Sequence, residues 1–403
     1  MNFIDIPQFI ATHVTKRQTS MFAPDIQKHA ALLTERIAGK SVLVIGGAGT
    51  IGSSYIKAIL AFSPAKLVVV DTNENGLTEL TRDLRSTPGQ YVPAEYITYP
   101  MNFGEEVFEK MFLEQGPFHI VANFAAHKHV RSEKDHFSIE AMLDNNVFKA
   151  QRFLDFLLQH KPEYFFCVST DKAANPVNVM GGSKKLMEEV IIAYSKELHI
   201  TTARFANVAF SNGSLLDGYI QRLFKRQALS CPADVKRFFV SPEESGQVCM
   251  LACMLGNSGE IFFPKLAEDE QVYFKDITLD FFAAAGRQIQ LCASDEEAKN
   301  ASKNLDATSP YPVYFFNSDT SGEKLYEEFY TAQDELDMQR FESLGVITNA
   351  RCLPKEELQI AINQLQELLS QSAYDKEQIV AIMKRHIPDF EHIETGKNLD
   401  QKM

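Results

Sequence analysis

Apolar residues in the first half of the chain gather in short runs, separated by longer stretches whose apolar positions follow a helical period. Ser41 to Ile45 is a charge-free, Val-rich run that ends in a cluster of glycines, and Leu67 to Val70 is a second run, closed by Asp71. Tyr96–Tyr99, His119–Phe124, Tyr164–Ser169 and Thr201–Phe205 read as further strands. Between them the spacing predicts helices over Ser53–Phe62, Gly76–Arg85, Glu105–Leu113, Ser138–Leu158 and Ser183–Leu198. Apolar strands alternating with helices are the pattern of an α/β fold with a doubly wound parallel sheet covered on both faces. The polar loops after the fourth and fifth strands then fall at the carboxyl edge, where open sheets of this kind bind ligands.

The flanks are less regular. Before the first strand, Ile26, Ala30, Leu33 and Ile37 place one helix face within Asp25–Ile37. Beyond Asn207 short strands and helices mix up to Ile347. Ser294–Ser309 reads as a linker and Asp319–Gly322 as a turn. From Pro354 to Arg385 a charged amphipathic helical region carries Leu358, Ile362, Leu365 and Leu369 at helical spacing. The expected organisation is an N-terminal extension over 1–38, a nucleotide-binding domain over 39–207, a smaller mixed α/β substrate-binding region over 208–350, and a helical tail over 351–403.

Composition narrows the class. The 403 residues are 45% hydrophobic and 23% charged, the balance of a folded protein with a sizeable core. With 40 Lys and Arg against 53 Asp and Glu, the net charge is −13, which disfavours nucleic acid and anionic lipid as partners. Val248–Leu255, and Ile59–Val70 with its Pro64 and Lys66, are too short or too interrupted to span a bilayer. Asp5 among the first apolar residues departs from a secretory signal. The six cysteines include no CxxC pair, and Cys249 and Cys253 read as core thiols on one helix face. A cytoplasmic protein is expected.

Two loops carry candidate chemistry. Gly46-Gly47-Ala48-Gly49-Thr50-Ile51-Gly52 lies between the first strand and its helix, where glycines let the backbone approach a pyrophosphate at the helix N-terminus. Asp71 closes the second strand 19 residues after Gly52. An acid there binds the adenosine ribose hydroxyls and repels a 2′-phosphate, favouring NAD over NADP. The alternatives are a plain structural turn and a helix cap at Asp71, a role that Thr72 or Asn73 could also fill. Together these features predict a Rossmann-type dinucleotide site. The second loop, Ser169-Thr170-Asp171-Lys172, follows the fifth strand, and Met180-Gly181-Gly182-Ser183-Lys184 opens the next helix. A hydroxyl, a carboxyl and an amine in succession at the ligand edge can do acid and base work on one small substrate; a capped loop with a salt bridge is the alternative.

These residues also carry a resemblance. Gly46 to Gly52, Ala125-Ala126-His127-Lys128-His129-Val130 and Ser169-Thr170-Asp171-Lys172-Ala173-Ala174-Asn175-Pro176 are shared words. So are Arg204-Phe205-Ala206-Asn207-Val208, Ser211 to Ser214, Arg237-Phe238-Phe239, Gly322-Glu323-Lys324-Leu325 and the tail Ile379–Phe390. With them the sequence resembles the extended short-chain dehydrogenase/reductases, and within these the capsular-polysaccharide type of nucleotide-sugar 4,6-dehydratase. The resemblance runs over roughly residues 40–392.

The resemblance implies a dehydratase acting on UDP-N-acetylglucosamine with NAD. Carbon 4 of the sugar is oxidised, a base takes the carbon-5 proton, water leaves carbon 6, and hydride returns to carbon 6. Asp171 would serve as the acid at carbon 6, Lys172 as the base at carbon 5, and Thr170 as hydrogen-bond partner of the carbon-4 oxygen. Lys184 would hold the nicotinamide ribose. Cofactor contacts are expected from Gly46, Gly49, Thr50, Ile51, Gly52, Asp71, Asn102, Ala125, Ala126 and Lys184. Substrate contacts are expected from Lys128, Asn146, Asn207, Ser214, Arg237 and Glu323, with Arg237 suited to phosphate by its guanidinium.

Three departures stand out. Met180 takes the place of the superfamily's catalytic tyrosine, as in the longer membrane-anchored branch, and a thioether takes no proton. The arginine usual before the Gly322-Glu323-Lys324 word is replaced by Thr320-Ser321. The anchoring helices of the long branch are not expected, and residues 1–38 at that end are expected to pack on the domain or on a neighbouring subunit. No metal is expected, and family habit implies a homo-oligomer. The competing readings are a nucleotide-sugar 4-epimerase and a non-catalytic NAD-binding regulator.

Overall fold

A computed structural model describes residues 4–129, 133–306, 308–318, 328–387 and 390–393. Nine strands form one sheet: β1 Ser41–Ile45, β2 Lys66–Asp71, β3 Glu95–Pro100, β4 Ile120–Asn123, β5 Tyr164–Val168, β6 Ile200–Ala203, β7 Ile261–Pro264, β8 Leu336–Asp337 and β9 Leu344–Ile347. Their order is β8-β9-β7-β6-β5-β4-β1-β2-β3. β3 through β7 run parallel, while β9 pairs antiparallel with β7 and β8 antiparallel with β9. The order reverses between β1 and β4, so a crevice opens at their carboxyl ends. This is the Rossmann-type α/β fold.

Alternation along the inner strands explains the two-layer cover. Val42 and Val44 of β1 face helix Thr50–Leu60 and the buried helix Pro242–Leu255. Leu43 and Ile45 face the other side, with Phe108, Leu186 and Val190. The C-terminal helices Lys355–Leu369 and Lys376–His386 bury Leu358, Ile362, Ile379 and Met383 in that second layer.

The later part of the chain adds a lobe. Helices Leu215–Lys225 and Phe274–Ala284 pack with a three-stranded parallel sheet of Leu229–Pro232, Tyr311–Phe316 and Ile289–Cys292. Two short ladders join this lobe to the main sheet. Asn207–Val208 pairs with Phe239–Val240, and Lys236–Arg237 pairs with Val272–Tyr273.

The N-terminal residues thread both bodies. Phe9, Ile10 and Val14 are buried in the lobe's core, and Phe22, Leu33 and Ile37 in the core of the main sheet.

Several elements differ from the sequence expectation. The Asp25–Ile37 stretch is two helices, Ala23–Lys28 and Ala30–Ile37, broken at His29. Asp25 is fully buried because its carboxylate accepts from the backbone N–H groups of Glu342 and Ser343, each at 2.8 Å. Ser294–Ser309 is not a linker: Ser294 caps a helix over Asp295–Ser302, and three acids in the first turn favour the helix dipole. The expected Asp319–Gly322 turn lies outside the described residues. Among the described residues, no helix is long and apolar enough to cross a membrane.

Candidate active site

The glycine loop is tight for steric reasons that only glycine meets. Gly46 sits at φ +74°, and a Cβ there would lie 2.6 Å from the Ala125 nitrogen. A Cβ on Gly52 would lie 2.3 Å from the Gly46 carbonyl oxygen. Gly49 stands at the N-cap of helix Thr50–Leu60 and supplies no side-chain cap, so the positive end of the helix faces the crevice. Asp71 ends β2, and its carboxylate accepts from the Ala48 nitrogen at 3.0 Å and the Asn73 nitrogen at 2.9 Å. The next helix is capped by Asn73, which accepts from the Gly76 nitrogen. Asp71 therefore braces the glycine loop rather than capping that helix. Asn102 turns the chain after β3, its Oδ1 accepting from the Gly104 nitrogen at 2.9 Å.

A cavity of about 590 Å³ opens beside this loop, between the main sheet and the added lobe. Ile51, Phe124 and Ala126 line its glycine-loop side, and Thr170, Asp171, Lys172, Met180 and Lys184 line its floor. Asn207, Ser214, Arg237 and Lys128 border the lobe side. Most of the site residues expected from sequence thus converge on one crevice. Glu323 and Val130 lie outside the described residues.

The consecutive triad is in mutual contact. Thr170 Oγ1 donates to Asp171 Oδ1 at 2.8 Å, and Lys172 Nζ donates to the same oxygen at 3.0 Å. Asp171 is almost fully buried, whereas Lys172 keeps partial access to the cavity. Beneath them, Lys184 Nζ donates to the Val168 carbonyl at 3.2 Å. Burial, partly offset by Cys167 and Glu188, lowers the pKa of this lysine from its ordinary value. Burial does the same for Lys128, whose Nζ donates to the Asn212 carbonyl at 3.2 Å.

The helix bearing Lys184 runs from Val179 to Ala193, starting earlier than its apolar spacing suggests. Asn178 caps it, accepting from the Gly181 nitrogen at 2.7 Å, and Glu133 Oε2 accepts from the Val179 and Met180 nitrogens. Met180 is buried with its side chain on the cavity, where it supplies apolar surface and no proton relay.

Asn146 stands apart from the other expected substrate contacts. It is 1% exposed, lies outside the cavity lining, and spends its amide on protein partners. Its Oδ1 accepts from the His127 nitrogen at 2.8 Å, while Nδ2 donates to the His127 carbonyl at 3.0 Å and to Ser183 Oγ at 3.2 Å. A π-helical turn over Asp144–Phe148, inside the long helix, places it there. It fixes the loop after β4 to the Lys184 helix.

Sequence reasoning missed other parts of the site. Glu188 is fully buried and grips Arg204 at 2.8 and 2.7 Å, while also accepting from Ser169 Oγ beside the triad. Arg222 reaches the far end of the cavity, and its buried Nε has no hydrogen-bond partner among the described residues. Its position two helical turns beyond Ser214 was the available signal. Among the described residues, Lys128, Lys172, Lys184, Arg222 and Arg237 face only Asp171 and Asp217 in the cavity wall. In a chain of net charge −13, this local excess of cations suits an anionic ligand.

The family described as "Polysaccharide biosynthesis protein" matches residues 42–349, three quarters of the chain. The chain belongs to this polysaccharide biosynthesis family. It is 30% identical over 316 residues to an uncharacterized membrane protein of Methanocaldococcus jannaschii, covering 76% of this chain and 85% of that one. It is 24% identical to the capsular polysaccharide biosynthesis protein CapD of Staphylococcus aureus, covering 79% of this chain and 50% of CapD. The chain thus spans about half the length of that relative. A Campylobacter jejuni UDP-N-acetylglucosamine 4,6-dehydratase (inverting) is 24% identical, over 57% of this chain and 67% of its own. Among solved structures, Pen from Bacillus thuringiensis shares the fold at a TM-score of 0.61 and 20% identity, over 81% of this chain and 98% of its own. DesIV of Streptomyces venezuelae, a dTDP-glucose 4,6-dehydratase with NAD bound, aligns at a TM-score of 0.55 and 18% identity, over 72% and 88%. The residues of this family member before 42 and after 349 lie outside the matched region.

Proposed function

We propose that the protein is an NAD-dependent nucleotide-sugar 4,6-dehydratase acting on UDP-N-acetylglucosamine. The observation that carries this reading is the contact of Thr170, Asp171 and Lys172 at one point of a locally basic cavity. The named activity of the Campylobacter relative supports the substrate. The glycine loop fits a dinucleotide: the space that Cβ atoms on Gly46 and Gly52 would need is filled by backbone, which brings bare peptide to the crevice at a helix N-terminus. Asp71, beside that loop, favours the ribose hydroxyls of NAD over a 2′-phosphate. When bound, NAD supplies the hydride acceptor for carbon 4 and the donor for carbon 6.

The residues of the chain supply the proton chemistry. Before substrate binds, Asp171 and Lys172 share a 3.0 Å hydrogen bond. Moving one proton from Lys172 Nζ to Asp171 Oδ1 converts an ammonium and a carboxylate into an amine and a carboxylic acid. Ligand that excludes water from the cavity favours this neutral pair, because an ion pair is costly to hold in a dry site. One transfer thus prepares both groups. The Lys172 amine accepts the carbon-5 proton, acidified by the neighbouring ketone, and Asp171 protonates the carbon-6 hydroxyl as it leaves as water. Lys172 then returns a proton to carbon 5; the proton given up by the carbon-4 hydroxyl on oxidation passes by way of Thr170 Oγ1 to solvent, and one proton from solvent restores the Lys172 ammonium when product leaves. Thr170 Oγ1 is placed to bond the carbon-4 oxygen, and Arg237 and Ser214 border the space for the diphosphate.

The test is incubation with UDP-N-acetylglucosamine in heavy water, read by mass spectrometry. A product lacking one water and carrying deuterium at carbon 5 is expected. An unchanged mass with a new stereoisomer would replace this reading with a 4-epimerase, and absence of conversion with retained NAD binding would point to a regulator.

A further inference from the structure

Arg17 occupies a junction that the proposed chemistry does not use. Its Nε and Nη2 donate to the two carboxylate oxygens of Glu244 at 2.8 and 2.9 Å. Nη2 also donates to the Phe239 carbonyl at 3.0 Å, and Nη1 reaches Glu270 Oε1 at 3.3 Å. Glu244 is itself committed: it is 2% exposed, accepts from the Met21 nitrogen, and closes the capping box with Ser241 that starts helix Pro242–Leu255.

The three anchors surround the strand that carries Arg237. Phe239 lies two residues beyond Arg237, lines the cavity and pairs with Asn207. Glu270 stands two residues before Val272, which pairs with Arg237 across the other ladder. The preceding residues Phe9, Ile10 and Val14 are fixed in the lobe and the following Phe22, Leu33 and Ile37 in the main sheet. Arg17 is therefore held from both sides while it clamps the segment 236–240. Guanidinium geometry suits this task, since a planar fork reaches a carboxylate and a carbonyl together and an ammonium does not.

We infer that Arg17 is a positioning residue for ligand recognition: it sets the segment 236–240, which carries Arg237 and pairs through Phe239 with Asn207, against a nucleoside diphosphate. The inference rests on the nucleotide-sugar reading of the cavity. The clamp holds the Phe239 carbonyl two residues from Arg237, whereas it reaches the glycine-loop side only through Glu244, whose helix packs on Thr50–Leu60, so it bears on the diphosphate before the dinucleotide.

The test is titration calorimetry of the full chain with UDP and, separately, with NAD, comparing wild type, Arg17→Lys and Arg17→Met. Lysine keeps a cation against buried Glu244 and preserves the fold if methionine does not. Arg17→Lys is expected to weaken UDP binding about tenfold, the loss of one or two charge-assisted hydrogen bonds, with NAD affinity unchanged. Equal UDP affinity in wild type and Arg17→Lys would overturn the inference alone. Parallel loss of UDP and NAD affinity would also overturn it, by showing a general structural role. A wild type that binds NAD and no UDP would overturn the nucleotide-sugar reading and this inference with it.

Discussion

Replacing Glu188 by Gln tests whether the triad rests on a buried ion pair. Glu188 and Arg204 are 2% and 1% exposed, and two bonds of 2.8 and 2.7 Å join them. Arg204 also donates to the Phe329 carbonyl at 2.9 Å, and Asp334 at 3.9 Å is the other acid in salt-bridge range. Glutamine preserves the shape and one acceptor but leaves the guanidinium without its full counter-charge. Removing one partner of a buried pair costs about 3–5 kcal/mol. Because Asp334 and the Phe329 carbonyl remain, a loss of about 3 kcal/mol is expected at pH 7, read by urea unfolding.

The pH dependence sharpens this expectation. Burial pushes the Glu188 carboxyl up, yet Arg204, Lys185 and the Ser169 hydroxyl bring its pKa below the ordinary carboxylate value. A folded-state pKa below the unfolded one gives stability that is present above the unfolded pKa and is lost as pH falls through the folded pKa. The gap between wild type and Glu188→Gln should therefore be full near pH 7 and shrink on acidification below the ordinary carboxylate range. Equal stability at pH 7, or a gap that does not shrink with acid, would refute the assignment of Glu188 as the charge that holds Arg204 and Ser169.

Lys172→Ala should lower dehydration by roughly 10²–10⁴-fold, the usual contribution of a positioned proton acceptor, with NAD binding retained and no deuterium gained at carbon 5 in heavy water. Gly52→Ala places a Cβ 2.3 Å from the Gly46 oxygen, so NAD content after purification should fall sharply and the fold should lose roughly 1–3 kcal/mol. Lys184→Met removes a cation that burial disfavours, so it should abolish turnover while raising stability at pH 7 by roughly 1–2 kcal/mol. Because the folded pKa of Lys184 lies below the unfolded one, wild type pays this cost below the folded pKa. The gain in Lys184→Met should vanish as pH rises through the ordinary lysine value, which denaturation at pH 7 and above pH 10 would show.

What could be read from the sequence depended on how far apart the interacting residues lie along the chain. β1 and β2 are apolar at every inner position because both faces of the sheet are covered, so their runs were visible without neighbours. The glycine loop and the Thr170-Asp171-Lys172 triad were visible because each is contiguous and follows a strand. The partners of Asn146, His127 and Ser183, lie 19 and 37 residues away. The spacing of a helix cannot show that an amide bonds a loop and a second helix. Glu133 meets the Lys184 helix 46 residues on, and Arg17 meets Glu244 across 227 residues. Neither pairing leaves a local pattern. Ser294–Ser309 shows the opposite case: its polar composition reads as a linker, although Ser294 and three following acids are a helix start. The hidden contacts share a trait. Asn146, Glu133, Glu188 and Arg17 each join a reactive or ligand-facing segment to a distant element through a side chain that is buried or nearly so. A group that must change its protonation within a dry cavity needs partners whose own charges stay fixed. Glu188 meets that need through its buried pair with Arg204, so the chemistry proposed for this site is local in sequence while its support is not.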